Sequence, residues 1–331
     1  MNIGHDNGFY KVKAITGTKT AHFESLVAKY VESDMSMNGH TTIAIDSRFG
    51  NHLVGPEAIK LGGTSARHET ANWVESPEYM TLFYAALSEL TTATQANVNL
   101  VTGLPLNDYQ AYRGTLRDRL LGTHQFTRKD RRAQTIKVES VRVVPQAWGC
   151  VLALLLDDKG RIVQPELAKE KIAVIDAGGH TVNFLSINGL SDIPSETRGT
   201  DRGAWNVVRA VRDFYTANYP LLNRYTDHEI MAQVVDGATW DGTYGEIDLT
   251  PVTRPIITDI GNEILATATQ HWGQGAATFR RVIVCGGGAY LWGEQIKAKL
   301  GHRGVVVMDA PEFANARGFY RFAVNLGSKA G

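Results

Sequence analysis

The chain has 331 residues, 43% of them hydrophobic and 21% charged, with 34 basic side chains balancing 34 acidic ones. This length suits two domains with buried cores. A formal net charge of zero excludes a global field that would draw the protein to nucleic acid or an anionic membrane, so any DNA contact calls for a partner protein. Cys150 and Cys285 each lie in an apolar stretch, which predicts two reduced structural thiols rather than a disulfide or metal framework. The start, "MNIGHDNG", has neither the basic segment nor the apolar core of a signal peptide. The longest apolar run, "AWGCVLALLL", is about half the length of a membrane span. A cytoplasmic protein without a membrane partner is the expectation.

In chain order, "GHDNGFYKVKAITG" predicts a hairpin around a glycine turn, and "TTIAIDSRFGNHLVG" further strands. "SPEYMTLFYAALSELTTAT" has Ser76 and Glu78 at a helix start and apolar positions at helical spacing. "VNLVTGLPL" predicts a buried strand running into a loop, "TIKVESVRVVPQ" an alternating strand, and "QAWGCVLALLL" an apolar helix ending at "DDKGR". That turn, with "IVQPELAKEK", is the expected domain boundary. The strand "KIAVIDAGG" opens the second half, followed by helices at "GAWNVVRAVRDFYTANY" and "PIITDIGNEILATATQHW", the strand "RRVIVCGGGA", a helical "AYLWGEQIKAKL" and a last helix near "EFANARGFYRFAVNL". There is no internal repeat and no low-complexity tract. The alternation of strands and helices predicts an α/β protein of mixed sheets with flanking helices.

Three glycine turns carry the candidate chemistry. The first strand ends in Asp6-Asn7-Gly8, with Phe9 and Tyr10 after it and Lys13 seven positions beyond the aspartate. A second strand ends in Asp176-x-Gly178-Gly179-His180-Thr181. Glycine lets backbone N–H groups approach phosphate oxygens, and a strand-end aspartate can hold a hydrated Mg²⁺. Lys13 can supply a point charge to the phosphates, and Thr181 a hydroxyl. Taken singly, the Gly-Gly segment also suits an ordinary turn, and Lys13 an ordinary solvated lysine. Gly286, Gly287 and Gly288 follow a buried strand and precede a helix, as in loops that approach a nucleotide. They form neither a P-loop nor a G-x-G-x-x-G fingerprint.

The order of these pieces resembles the actin, DnaK-type chaperone and sugar-kinase superfamily: Asp6-x-Gly8, then Val144-Pro145-Gln146-Ala147 before an apolar helix, then Asp176-x-Gly178-Gly179-x-Thr181, then Gly286-Gly287-Gly288-Ala289. "HLVGPEA", "LVTGLPLNDY" and "ANARGFYRFA" are similar to segments of prokaryotic actins, notably the ParM/StbA-type plasmid-segregation actins, with Gly318 allowing close helix packing. The resemblance implies an actin-like fold of two ribonuclease-H-like domains around a nucleotide cleft, with domain I as residues 1–165 plus 311–331 and domain II as 166–310. It implies an ATPase, with GTP left open as an alternative nucleotide, and Mg²⁺ organised through water by Asp6 and Asp176. Asn7, Gly8, Phe9, Tyr10, Lys13, Gly178, Gly179, His180 and Thr181 would hold the phosphates, and Gly286 to Gly288 would lie against adenosine.

Gln146 in this setting implies a residue that orients the attacking water, because an amide cannot act as a base at neutral pH; its alternative is a helix cap. The sequence departs from the pattern at His180, which also suits an inert hairpin tip, and at Asn183, which cannot supply negative charge where many relatives carry aspartate. By resemblance the protein forms head-to-tail filaments that hydrolysis makes labile and that serve plasmid or DNA segregation through a DNA-binding adaptor, with no direct nucleic-acid contact. The alternatives are a non-polymerising kinase or phosphatase of the same superfamily and a cell-shape or organelle-positioning actin. Arg128, Lys129, Arg131 and Arg132 form a basic cluster that reads as a solvated loop or as a contact for the adaptor or a neighbouring subunit.

Overall fold

Short apolar strands, broken by glycine turns, build two large sheets and a small two-stranded one in this computed structural model, which describes residues 1–30, 43–59, 61 and 72–329. The chain divides into two compact units, Met1–Gln164 with Asn315–Gly331, and Pro165–Ala314.

In the first unit, β1 (Asn2–Asn7) and β2 (Lys11–Thr16) form the hairpin expected from "GHDNGFYKVKAITG", and β3 (Lys19–Glu24) adds antiparallel to β2. β4 (Val27–Lys29), β5 (Ile43–Ser47) and β6 (Gly50–Val54) follow; the first two residues of the predicted 41–55 strand segment lie outside the described residues. After the single turn α1 (Pro56–Ile59) comes α2 (Pro77–Leu90). Ser76 caps α2 by accepting from the Tyr79 N–H at 3.1 Å, and Pro77 occupies the first turn, where no donor is lost. β7 (Gln95–Leu104) does not run into a loop, as its sequence predicts, but directly into α3 (Leu106–Leu120). Only Leu116 and Leu120 of α3 are buried, so the helix lacks the apolar periodicity that would announce it.

β8 (Gly122–Arg128), β9 (Gln134–Pro145) and α4 (Trp148–Leu155) complete this stretch. The sheet order is β3-β2-β1-β7-β9-β8-β5-β6-β4, with β1, β7 and β9 parallel. The basic cluster is not a solvated loop throughout: Arg128 is 1% exposed and paired with Glu89 and Asp130, and Arg131 is half-buried and donates to the Ser88 carbonyl. Lys129 and Arg132 remain exposed.

In the second unit, β10 (Lys171–Ala177) and β11 (Val182–Asn188) make a second hairpin, extended by β12 (Ser191–Asp192) and β13 (Arg198–Thr200). α5 (Trp205–Asn218) matches its predicted segment, whereas α6 (Asp227–Asp236) and the hairpin β14 (Ala238–Asp241) and β15 (Gly245–Asp248) are additions. α6 had a legible signal: Thr226 and Glu229 form a complete capping box. α7 (Thr250–Trp272) begins earlier than its predicted segment. β16 (Arg281–Cys285), α8 (Ala289–Lys299) and β17 (Val305–Val307) follow, and β10, β16 and β17 are parallel.

α9 (Ala314–Lys329) returns to the first unit, where it crosses α4 closely: a Cβ on Gly318 would sit 1.7 Å from the Gly149 carbonyl oxygen. Val101, Phe319 and Ala323 form the core under α9, and the larger core lies under α2 on the other face. Cys150 and Cys285 are both fully buried, yet neither is a free thiol, against the expectation of two reduced cysteines. Apolar surroundings explain their burial, and sequence separation alone says nothing about bonding state.

Candidate functional site

The two hairpins repeat one device. In each, the first strand pairs antiparallel with its partner and parallel with a later strand, β1 with β7 and β10 with β16. In each, an aspartate is the penultimate residue of the first strand and stands opposite a residue seven positions on, Asp6 opposite Lys13 and Asp176 opposite Asn183. Strand alternation decides what each residue meets. Gly4 lies against the α9 backbone, where a Cβ would come within 2.1 Å of the Tyr320 nitrogen. Asp6, two residues on, shares that face, while His5 points to the opposite one, edge-on to the Phe83 ring of α2.

Asp6 is 4% exposed and both carboxylate oxygens are engaged. Gln146 donates from Nε2 to Oδ1 at 3.0 Å, and Lys13 Nζ lies 3.3 Å from Oδ2. A carboxylate only accepts, so the amide orientation of Gln146 is fixed by this contact. Gln146 does not cap α4: the cap is Ala147, in a left-handed conformation with φ 74°, and its N–H is taken by Asn315 Oδ1 at 3.1 Å. Lys13 is no solvated lysine, because its ammonium folds over the turn; a Cβ at Gly8 would approach both Lys13 Nζ and the Lys11 carbonyl oxygen to 2.6 Å. Ser25 steadies the turn, donating from its hydroxyl to the Gly8 carbonyl at 2.7 Å and from its N–H to the Tyr10 carbonyl at 2.9 Å. Phe9 and Asn7 bury their side chains. Burial, reinforced by Glu24, pushes the Tyr10 phenol up to about 12, so it remains a neutral hydroxyl.

At the second hairpin, the Gly178 N–H closes the turn onto the Thr181 carbonyl at 2.8 Å, and His180 is exposed at the tip. The N-terminus of α5 backs this turn: the N–H groups of Ala204 and Trp205 donate to the Gly178 and Gly179 carbonyls at 3.3 and 2.8 Å. Gly203 permits the approach, since a Cβ there would lie 2.5 Å from the Gly179 oxygen.

The third glycine cluster packs onto the same strand end. Gly286 has φ +82°, and a Cβ would fall 2.5 Å from Asp176 Oδ1 and 2.3 Å from the Ala177 carbonyl oxygen. Gly288 donates its N–H to that carbonyl at 2.7 Å and lies under the Trp292 ring. Gly287 is exposed, and a Cβ there would meet the Glu312 Cβ at 4.0 Å, an ordinary contact. Beside the loop, the Tyr290 hydroxyl donates to Glu312. Asn183 is buried opposite Asp176.

The structure thus brings Asp6, Gly8, Lys13 and Gln146 together in the first unit, and Asp176, Gly178, Gly179, Thr181, Gly286 and Gly288 together in the second. Ser25, Asn315 and Gly203 are supporting residues that the sequence does not announce, because they act through backbone contacts without a distinctive motif. Among the described residues no group of three or more His, Cys, Asp and Glu side chains could hold a metal ion directly. Single strand-end carboxylates beside glycine cradles suit an ion that keeps its water shell.

Paired aspartate hairpins, each on a mixed sheet, a glutamine ahead of the first apolar helix and a glycine loop on the second sheet define an actin-like fold. The chain belongs to the actin-like proteins: residues 4–149 match the family described as actin-like proteins, N-terminal domain, and residues 174–298 that described as archaeal actin homologue MreB-like, C-terminal.

Among solved structures it is similar to a ParM filament from Clostridium botulinum (22% identity, 97% of this chain and 98% of that chain, TM-score 0.82). It is also similar to an archaeal actin homologue solved in complex with ADP (17% identity, 100% and 99%, TM-score 0.75) and to the protein of an Alp12 filament (16%, 100% and 99%, TM-score 0.67). No curated protein matches the chain. No helix among the described residues is long and apolar enough to cross a membrane.

Proposed function

We propose that this protein is an ATPase whose nucleotide state controls its assembly into filaments. The observation that carries the reading is the buried Gln146–Asp6–Lys13 array, in which a neutral amide is locked by a carboxylate that also holds a lysine. With Nε2 engaged on Asp6, the Gln146 Oε1 is the atom left to accept a hydrogen bond from an attacking water. Such an amide orients water but takes no proton efficiently, which suits slow hydrolysis. The water oxygen bonds to the γ-phosphorus as the bond to the bridging oxygen breaks, releasing ADP and phosphate.

Lys13 and the N–H groups of the Gly8 turn hold phosphate oxygens, with Asn7, Phe9 and Tyr10 in the same turn. Gly178, Gly179, His180 and Thr181 do so from the second hairpin, and Gly286 to Gly288 lie against adenosine. Asp6 and Asp176 would hold Mg²⁺ through its water shell, and the ion would neutralise charge on the phosphates. Support comes from the archaeal homologue solved with ADP and from the filaments formed by a ParM and by Alp12.

Self-association is head-to-tail, a heterologous contact that propagates without closing. The cargo is plasmid or other DNA, reached through an adaptor in the cytoplasm. Light scattering and phosphate release after Mg-ATP addition, over a range of protein concentrations, test the reading. A critical concentration with sedimentable polymer is expected; hydrolysis without either would overturn the filament and leave a non-polymerising kinase or phosphatase. The match of residues 174–298 to the MreB-like family favours a second reading, a cell-shape or organelle-positioning actin. Filaments that co-sediment with lipid vesicles would select it.

A further inference from the structure

The α2 face of β1 carries polar groups where the core is otherwise apolar. His5 is fully buried, and among the described residues neither of its ring nitrogens has a hydrogen-bond partner. Thr102 on β7 is in direct parallel register with His5, is also fully buried, and its hydroxyl is likewise unpartnered. Asn7, two residues along β1 and therefore on the same face, is 4% exposed with an unpartnered Nδ2. The surroundings are hydrocarbon and aromatic: Ile3, Val12, Ala14, Leu100 and Leu104 belong to the core here, and the Phe83 and Tyr79 rings lie 5.3 and 6.4 Å from the imidazole.

Orphaned buried polar atoms are rare, and each is costly to leave unmatched. A cluster of three such side chains on adjacent strands is a pattern rather than an accident. Their chemistry is complementary to one small ligand. Neutral imidazole offers one donor and one acceptor, the threonine hydroxyl one donor and two acceptor sites, and the asparagine amide nitrogen two donors. His5 and Thr102 stand directly opposite on neighbouring strands, with Cβ atoms about 5 Å apart, yet make no hydrogen bond to each other, an arrangement that a molecule bonded to both would satisfy. Lys13 offers no charge to an anion here, because it is committed to Asp6 on the opposite face. Asp6 offers no carboxylate to a cation here, because it points away to Gln146.

We propose that His5, Thr102 and Asn7 enclose an internal water site between β1, β7 and α2, on the reverse side of the strand that presents Asp6. Bound water at such a site makes about three hydrogen bonds and is costly to remove. Because Asn7 belongs to both this site and the first glycine turn, the water ties the end of β1 to the core from the face opposite Asp6. This inference does not rest on nucleotide binding.

Two measurements on the full chain test it. In a high-resolution crystal structure of the unaltered protein, or in water–protein NOE spectra, an ordered water contacting His5 and Thr102 is expected; a dry contact, with no such density or cross-peak, overturns the proposal. In a double-mutant cycle of His5→Phe and Thr102→Val, each single change strands its partner and lowers Tm, while the double variant, with both polar groups gone, loses clearly less than the two shifts added. Strictly additive shifts would sink the shared site. If a single variant fails to fold, the measurement on the unaltered protein still decides.

Discussion

His5 is the residue whose burial has the plainest thermodynamic signature. Removal from water pushes its imidazole down from 6.5 to about 4, against the opposing pull of Asp6. Between those values the unfolded chain binds a proton that the native protein refuses, so stability is fully present above about pH 6.5 and falls as pH drops toward 4. The contribution amounts to about 3 kcal/mol at one pKa unit per 1.36 kcal/mol. Burial lowers His124 as well, so it acts in the same direction. Urea unfolding at pH 7 and pH 5 is expected to show a markedly shallower acid decline in His5→Phe than in the unaltered protein; an unchanged slope would remove His5 as its source. Gly286 gives a second residue-level prediction. Its φ of +82° and the 2.5 Å that separates a Cβ from Asp176 Oδ1 mean that Gly286→Ala both strains the backbone and displaces the carboxylate. A fluorescent ATP analogue is expected to bind at least about tenfold more weakly, a loss of ~1.4 kcal/mol. Gly287→Ala, whose Cβ would make only an ordinary 4.0 Å contact with Glu312, is expected to leave the fold's Tm within about a degree, since surface changes away from special geometry are usually near neutral.

At the scale of elements, the crossing of α4 and α9 explains why both glycines there are glycines. A Cβ on Gly318 would overlap the Gly149 carbonyl, and one on Gly149 would come within 2.6 Å of the Asn315 Cα. Gly318→Val should therefore force the helices apart and cost at least about 1–3 kcal/mol, seen as a lower denaturant midpoint. Because Asn315 on α9 holds the Ala147 N–H directly after Gln146, the same variant is expected to slow hydrolysis. The elements legible in the sequence were those with strong periodicity or strong punctuation: the hairpins β1–β2 and β10–β11, the Ser76-capped α2, the apolar α4 and the glycine-ended β16. α3 escaped because its burial rests on two leucines, and β14–β15 because, of the positions it buries, Thr239 and Asp241 are polar and only Ile247 is apolar. At the candidate site, the aspartates and glycines were legible because backbone geometry demands them. The bond from Gln146 to Asp6 spans 140 residues, and pairing across such a distance leaves no local trace. Arg128 misled for a related reason: a run of basic residues looks solvated until the distant Glu89 is folded against it.

At the scale of the whole molecule, a formal net charge of zero removes the long-range repulsion that keeps copies of a protein apart, a setting that favours self-association. If assembly follows ATP binding and disassembly follows hydrolysis, the two must separate in a variant that binds without turning over. Gln146→Ala is that variant. It keeps Lys13 beside Asp6 and leaves both glycine turns intact, but it removes the amide that would orient water. Misplacing the attacking group costs up to about 10²-fold in rate. Light scattering is therefore expected to rise at nearly the same protein concentration as in the unaltered protein, while phosphate release slows by about ten- to a hundredfold and the polymer persists after unaltered filaments have decayed. Unchanged phosphate release would take Gln146 out of the chemistry. Slow release combined with decay at the normal rate would show instead that filament lability is not driven by hydrolysis.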